Sequence, residues 1–223
     1  MIAQRISAIN LLRETFAAIG SLYATLLIMS SPGLIIAVLN AFGTLGSAGV
    51  ALNVIYWFCA VPFLSGALTF YIYRSLTRNQ VTVGEAFKQA NRRLLQLILV
   101  NIMFGLLVLT GFIVLIIPGF YVLYRLIFSF YATVIDNTSA LDSLSSSWEL
   151  TKGRWWLVFR STFLLSFVVF VPIVLISLLI DPTGKSLASQ LVSSVFGFLV
   201  GPLMGVYFVL LYLRLRDSAA TMK

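Results

Sequence analysis

Residues 92–136 read RRLLQLILVNIMFGLLVLTGFIVLIIPGFYVLYRLIFSFYATVID, and between Arg93 and Asp136 the only charge is Arg125. Two apolar runs, 94–118 and 120–134, approach the roughly 20 residues that cross a bilayer. Proline fixes φ and glycine frees the backbone, so Ile117-Pro118-Gly119-Phe120 is expected to form the whole reversal between the two runs. Outward from this pair the pattern repeats. Spans are expected at 16–41, 50–73, 94–118, 120–134, 155–180 and 187–213, within one integral membrane domain covering 1–223. Composition agrees: 60% of the 223 residues are hydrophobic and 10% charged, against roughly 45–50% and 25% in soluble domains.

The charges orient the chain. Arg5 and Arg13 precede the first run, and Arg74, Arg78, Lys88, Arg92 and Arg93 separate the second from the third. Lys152, Arg154 and Arg160 flank the start of the fifth, Arg214, Arg216 and Lys223 close the sixth, and the alternate gaps hold only Lys185. Lys and Arg are retained inside during insertion, so both termini are expected in the cytoplasm of a bacterium, with the chain multi-pass in its inner membrane. The net charge of +8 therefore marks span ends and not a nucleic-acid-binding face. The expected partners are membrane lipids, with anionic headgroups on the cytoplasmic side attracted by about 1 kcal/mol per basic residue; a protein partner or a second copy is the alternative. The uncharged stretch 16–49 lacks a small-residue cleavage site and reads as a retained span, not a signal peptide.

Three stretches ahead of spans carry helical stripes and are expected to lie along the inner interface at 4–15, 83–93 and 139–151. Thr82-Val83-Gly84-Glu85 fits a capping box, with Val83, Ala86, Phe87, Ala90 and Leu94 following as the apolar face. Ser139 with Asp142 starts the second, where Leu141, Leu144 and Trp148 form the expected stripe and Ser143, Ser145, Ser146, Ser147 and Glu149 are left mostly for water. Ile6, Ile9, Leu12 and Phe16 do the same at the N-terminus. The fold class is thus an all-α polytopic bundle of six transmembrane helices with cytoplasmic-side amphipathic helices. A threefold repeat of interfacial helix, span, turn and span is one way to build it.

Few residues offer chemistry. His is absent and Cys59 is the sole cysteine, so no metal site, cofactor or internal disulfide is expected. The carboxylates fall at span ends or in the interfacial helices, which leaves no catalytic pair. Gly184-Lys185-Ser186 lacks the leading glycine of a phosphate loop, since Leu179 stands there. Ser189, Ser193, Gly197, Gly201 and Gly205 recur every fourth residue and form a helix-packing stripe. Arg125, placed about 8–9 Å into the fourth helix by helical rise, is the candidate lipid or substrate contact, with Tyr124 and Tyr121 beside it and Asp181 as an alternative ion-pair partner. Trp148, Lys152, Arg154, Trp155 and Trp156 are expected to be interfacial, with Trp155 and Trp156 of the aromatic belt marking the inner boundary of span five beside Lys152 and Arg154.

Leu115-Ile116-Ile117-Pro118-Gly119-Phe120-Tyr121, then Arg125, then Ser147-Trp148-Glu149-Leu150-Thr151-Lys152-Gly153-Arg154-Trp155-Trp156 resembles the membrane domain fused to some bacterial glycerophosphodiester phosphodiesterases, and its stand-alone, uncharacterised six-span relatives. The resemblance implies the six-span layout. It implies no hydrolysis, because in the fused proteins that activity belongs to a separate soluble domain, and no stretch here is long enough for one. The expectation is a non-enzymatic accessory or scaffold that organises lipid or a partner protein. The alternative is a small transporter or lipid-handling protein for an anionic substrate.

Overall fold

The computed structural model describes residues 8–42, 48–79, 81–183 and 186–220. Their regular structure is entirely helical, with no strand among them. Among the described residues six helices are long and apolar enough to cross a membrane: Tyr23–Ala41, Leu52–Leu76, Leu94–Val114, Ile116–Ile135, Trp155–Ile180 and Leu187–Ala220. The chain is a multi-pass membrane protein.

Eleven α-helices and one π-helical turn follow in order: α1 (Ala8–Ile19), α2 (Tyr23–Ala41), α3 (Ala48–Ile55), the π-helical turn Tyr56–Ala60, α4 (Val61–Leu76), α5 (Val83–Arg92), α6 (Leu94–Val114), α7 (Ile116–Leu126), α8 (Ser129–Ile135), α9 (Ala140–Leu150), α10 (Trp155–Ile180) and α11 (Leu187–Ala220). Short helix, span and span thus recur three times. The packing is cyclic: α5 lies on α4, α9 on α8, and α1 on α11, so each short helix leans on the last span of the unit before it. Arg93 and Arg154, each the residue before the first long helix of a unit, both tie that start to the unit's far end. Arg93 donates to the carbonyls of Asn137 and Thr138, at 2.8 and 3.5 Å, and Arg154 to Leu215 O at 3.0 Å and Ser218 Oγ at 2.7 Å.

The core follows α11. Leu26, Ile72, Val206 and Val209 pack together on one side of it, and Phe128, Val158, Leu165, Tyr207, Leu211 and Leu215 on the other. The outer side of α10 is the opposite, with Phe163, Phe167, Phe170 and Leu179 exposed, as suits a helix whose solvent is lipid.

Several boundaries differ from the sequence expectation. Span 16–41 breaks at residues 20–22, so that α1 runs on to Ile19 and the membrane helix begins at Tyr23. The buried face of α1 is Leu11, Thr15 and Ile19, while Ile9 and Phe16 are exposed; Ile6 and the start of the 4–15 stretch lie outside the described residues, as do most of the connection after Phe42 and Gly184-Lys185. The reversal between spans three and four is not Pro118-Gly119 but Leu115, extended at φ −165° and ψ 157°. Pro118 sits in the first turn of α7, where its missing N–H costs nothing. Gly111 and Gly119 instead let α6 and α7 touch: a Cβ on Gly111 would stand 3.0 Å from Gly119 Cα, and one on Gly119 would enter the Phe112 ring at 2.5 Å. Span 120–134 becomes 116–135, interrupted between α7 and α8, and span 187–213 continues to Ala220.

Candidate functional site

The interruption at Ile127–Phe128 organises the residues singled out in the sequence. A helix that breaks inside a membrane frees carbonyl and N–H groups that no water satisfies, and α9 supplies the partners. Ser147 Oγ donates to Arg125 O at 2.9 Å and accepts from Phe128 N at 3.2 Å. The Thr151 hydroxyl lies 3.1 Å from the same carbonyl. One turn further along α9, Ser143 Oγ bonds Thr133 Oγ1 at 2.7 Å. Ser143, Ser147, Thr151 and Thr133 are completely buried.

The buried face of α9 is therefore shifted from its expected stripe and shares only Leu144 with it. Leu144 is buried among Val100, Leu126 and Ala140, but Leu141 is 67% exposed and Trp148 36%. The serines at 143 and 147 point inward, and only Ser145 and Ser146 face out. The signal was present in the sequence, because Ser143, Ser147 and Thr151 recur every fourth residue. A stripe read from apolar residues alone does not contain it.

Arg125 lies beneath this helix. Its side chain is 4% exposed, its Nε has no hydrogen-bond partner, and its guanidinium sits 4.2 Å from the centre of the Trp148 ring and 5.7 Å from that of Tyr121. Counted from Leu115 the arginine is about 15 Å along its helix, deeper than the 8–9 Å expected from a Pro-Gly reversal. Asp181 is not its partner. That carboxylate folds over its own turn, accepting from Thr183 N at 2.9 Å, Thr183 Oγ1 at 2.7 Å and Ser186 N at 2.7 Å, and these bonds hold its pKa far below the ordinary carboxylate range. Arg125 thus serves as a latch: its carbonyl takes the α9 hydroxyls and its guanidinium takes the Trp148 face, a cation–π contact of about 2 kcal/mol when desolvated. Tyr121 and Tyr124 extend the cluster, packing on Trp148 and Trp155 and on Trp155 and Phe159. Gly153, at φ 72°, makes the turn from α9 to α10 that brings Trp155 back to them.

The other expected residues fall elsewhere. Trp156 is 56% exposed, and Lys152 pairs with Glu149 at 3.8 Å on the surface. The small-residue stripe of α11 divides. Ser189 is buried and Ser193 Oγ lies 3.0 Å from Ser177 Oγ of α10. Gly197 and Gly201 face open space, with nothing within 4 Å of an added Cβ, and a Cβ on Gly205 would stand 3.2 Å from the Ile72 side chain.

At the end of the bundle that holds α1, α5 and the close of α11, Glu14 pairs with Arg214 at 2.9 Å. Arg216 pairs with Asp136 at 2.6 Å, and Asp136 also accepts from the Tyr212 hydroxyl. In contrast, Arg13, Arg78, Lys88 and Arg92 are exposed and form no salt bridge or side-chain hydrogen bond among the described residues. Glu85 nearby closes the capping box, accepting from Thr82 N at 2.8 Å, and the Thr82 bonds hold its pKa below the ordinary value. Among the described residues no cluster of His, Cys, Asp and Glu could hold a metal ion.

A family model described as a domain of unknown function (DUF7847) matches residues 80–215, from the start of α5 into α11. No curated protein and no solved structure matches the chain.

Proposed function

The chain belongs to the DUF7847 family, and from that premise we propose that it is a non-enzymatic membrane scaffold whose basic end gathers anionic lipid headgroups on the cytoplasmic side of a bacterial inner membrane. The observation that carries this reading is the group of exposed cations without salt bridges, Arg13, Arg78, Lys88 and Arg92, on one end of a bundle whose carboxylates there are largely engaged by other side chains. Each such cation near an anionic surface contributes about 1 kcal/mol. The short helices α1 and α5 hold Arg13, Lys88 and Arg92 at the level of the interface, Arg78 sits in the connection just before α5, and α9 is drawn inward to support the fourth span. Phosphate oxygens of several lipids would be held there without chemical change. The cytoplasmic orientation rests on the bias of Lys and Arg to that end.

The test is the lipid shell of the protein reconstituted into vesicles containing phosphatidylglycerol and phosphatidylcholine. Spin-labelled phosphatidylglycerol should be enriched over phosphatidylcholine at the protein surface, and Lys88→Gln with Arg92→Gln should reduce that enrichment several-fold. Equal retention of the two lipids by the unaltered chain sinks the reading. A reporter fused in the α4–α5 connection that is active only outside the cell sinks the orientation.

A further inference from the structure

A cavity of about 330 Å³ lies between α4, α6, α8 and α11. It exists because its walls cannot close. The π-helical turn and Pro62 interrupt the second span, Ile127–Phe128 interrupt the fourth, and Gly201 and Gly205 leave α11 without side chains on that side. Ser65 and Thr69, one turn apart on α4, line it together with Asn101 of α6 and Tyr131 of α8. None of these four side chains makes a hydrogen bond among the described residues, whereas the polar network of α8 and α9 beside them is satisfied. Polar groups in a membrane interior that lack partners are costly, and four of them around one space define a recognition surface. No Lys, Arg, Asp or Glu lines the cavity, which disfavours a charged ligand. Asn101 is exposed on the outer side of α6, so the cavity is reached from the bilayer. A second cavity of about 560 Å³, bordered by Asn40, Asn53 and Tyr56, shares Val61 and Gly201 with the first and adjoins it.

We infer that the cavity between α4, α6, α8 and α11 binds an uncharged, polyhydroxylated group, with Ser65, Thr69, Asn101 and Tyr131 as its hydrogen-bonding partners and Gly201 and Gly205 as its smooth wall. Hydroxyls both donate and accept, which matches a lining of two aliphatic hydroxyls, a phenol and an amide. The volume would hold about ten waters, enough for a hexitol-sized ring or chain. The group arrives either as a free polyol or as the head of an uncharged glycolipid. This site is independent of the basic end and of the lipid shell measured above.

The full-length protein in nanodiscs of phosphatidylcholine tests it with two probes. Binding of myo-inositol is measured by calorimetry, and retention of a monoglucosyl diacylglycerol by native mass spectrometry. Inositol binding supports a free polyol, retention of the glucosyl lipid over plain diacylglycerol supports a lipid-borne head, and failure of both overturns the inference. Thr69→Val and Tyr131→Phe keep shape and remove one hydroxyl each, so each should weaken the bound probe about tenfold. Gly201→Leu should abolish binding by filling the space, while Ser145→Ala on the outer face of α9 should change nothing. Unaltered affinity in both Thr69→Val and Gly201→Leu, in protein that remains folded and monodisperse, would place the ligand elsewhere and overturn the assignment.

Discussion

Helices α5 and α9 begin alike and pack differently. Each starts at a hydroxyl whose oxygen accepts the N–H of a carboxylate residue three positions on, Thr82 for Glu85 and Ser139 for Asp142. Each was expected to bury an apolar stripe. Helix α5 does so, with Ala86 and Ala90 buried and Val83 and Phe87 packed against the cluster of Met29, Ala67 and Leu97. Helix α9 buries Ser143 and Ser147 and turns Leu141 outward. The difference lies in the neighbour. The α4 surface beneath α5 is an intact helix whose backbone is already paired, so only apolar contact is left to gain. Beneath α9 the fourth span is broken, and the freed Arg125 carbonyl and Phe128 amide reward hydroxyls over hydrocarbon.

The contrast can be broken most directly at Trp148. Trp148→Ala leaves the Arg125 guanidinium buried without its aromatic face and should lower stability by about 3 kcal/mol, read as the midpoint of thermal unfolding in detergent. An unchanged midpoint would remove the latch. Ser147→Ala should cost about 2 kcal/mol, since it strips the partner of a buried N–H and weakens that of a carbonyl; Ser145→Ala should stay within about 0.5 kcal/mol. Equal effects of the two would show that α9 packs by its apolar stripe after all. On α5 the sensitivity is to volume: Ala86→Leu should cost about 1.5 kcal/mol by overpacking, while Ala86→Ser should be milder.

The smallest effect is a pH dependence. The Glu85 carboxylate is held below its ordinary pKa by the Thr82 bonds, so its contribution to the start of α5 is present at neutral pH. It is full above the ordinary carboxylate pKa and is lost as pH falls through the lower folded-state value. Protection factors of the first-turn amides of α5, taken against the intrinsic exchange rate at each pH, should fall on acidification in the unaltered chain and be less sensitive to pH in Glu85→Gln. Identical pH profiles in the two would exclude the cap as the cause.

Much of the layout was legible in residues taken one at a time. The cationic gaps and the apolar runs between them marked how many crossings there are and their order, though not their ends, because charge and hydrocarbon length act locally. Thr82 and Glu85 announced a helix start for the same reason. Pro118 and Gly119 misled because a Pro-Gly pair favours a turn in isolation but equally suits the first turn of a helix pressed against a neighbouring glycine, and Gly111 lies eight positions away in sequence. Arg125 is legible as an exception, but what covers it is the ring of Trp148, two helices on, and not Asp181. The small stripe of α11 was visible as a period. Whether its glycines meet a helix or a cavity depends on where the second and fourth spans are interrupted.

By itself the sequence determined the number of spans, the bias of charge to one end and the absence of histidine, since each follows from composition along the chain and from what a bilayer admits. Only the tertiary structure decided which face of α9 is buried, what covers Arg125 and where Gly201 leaves space. Those outcomes depend on the break at Ile127–Phe128, where unpaired backbone groups of one helix set the hydrogen-bonding needs that another helix must meet.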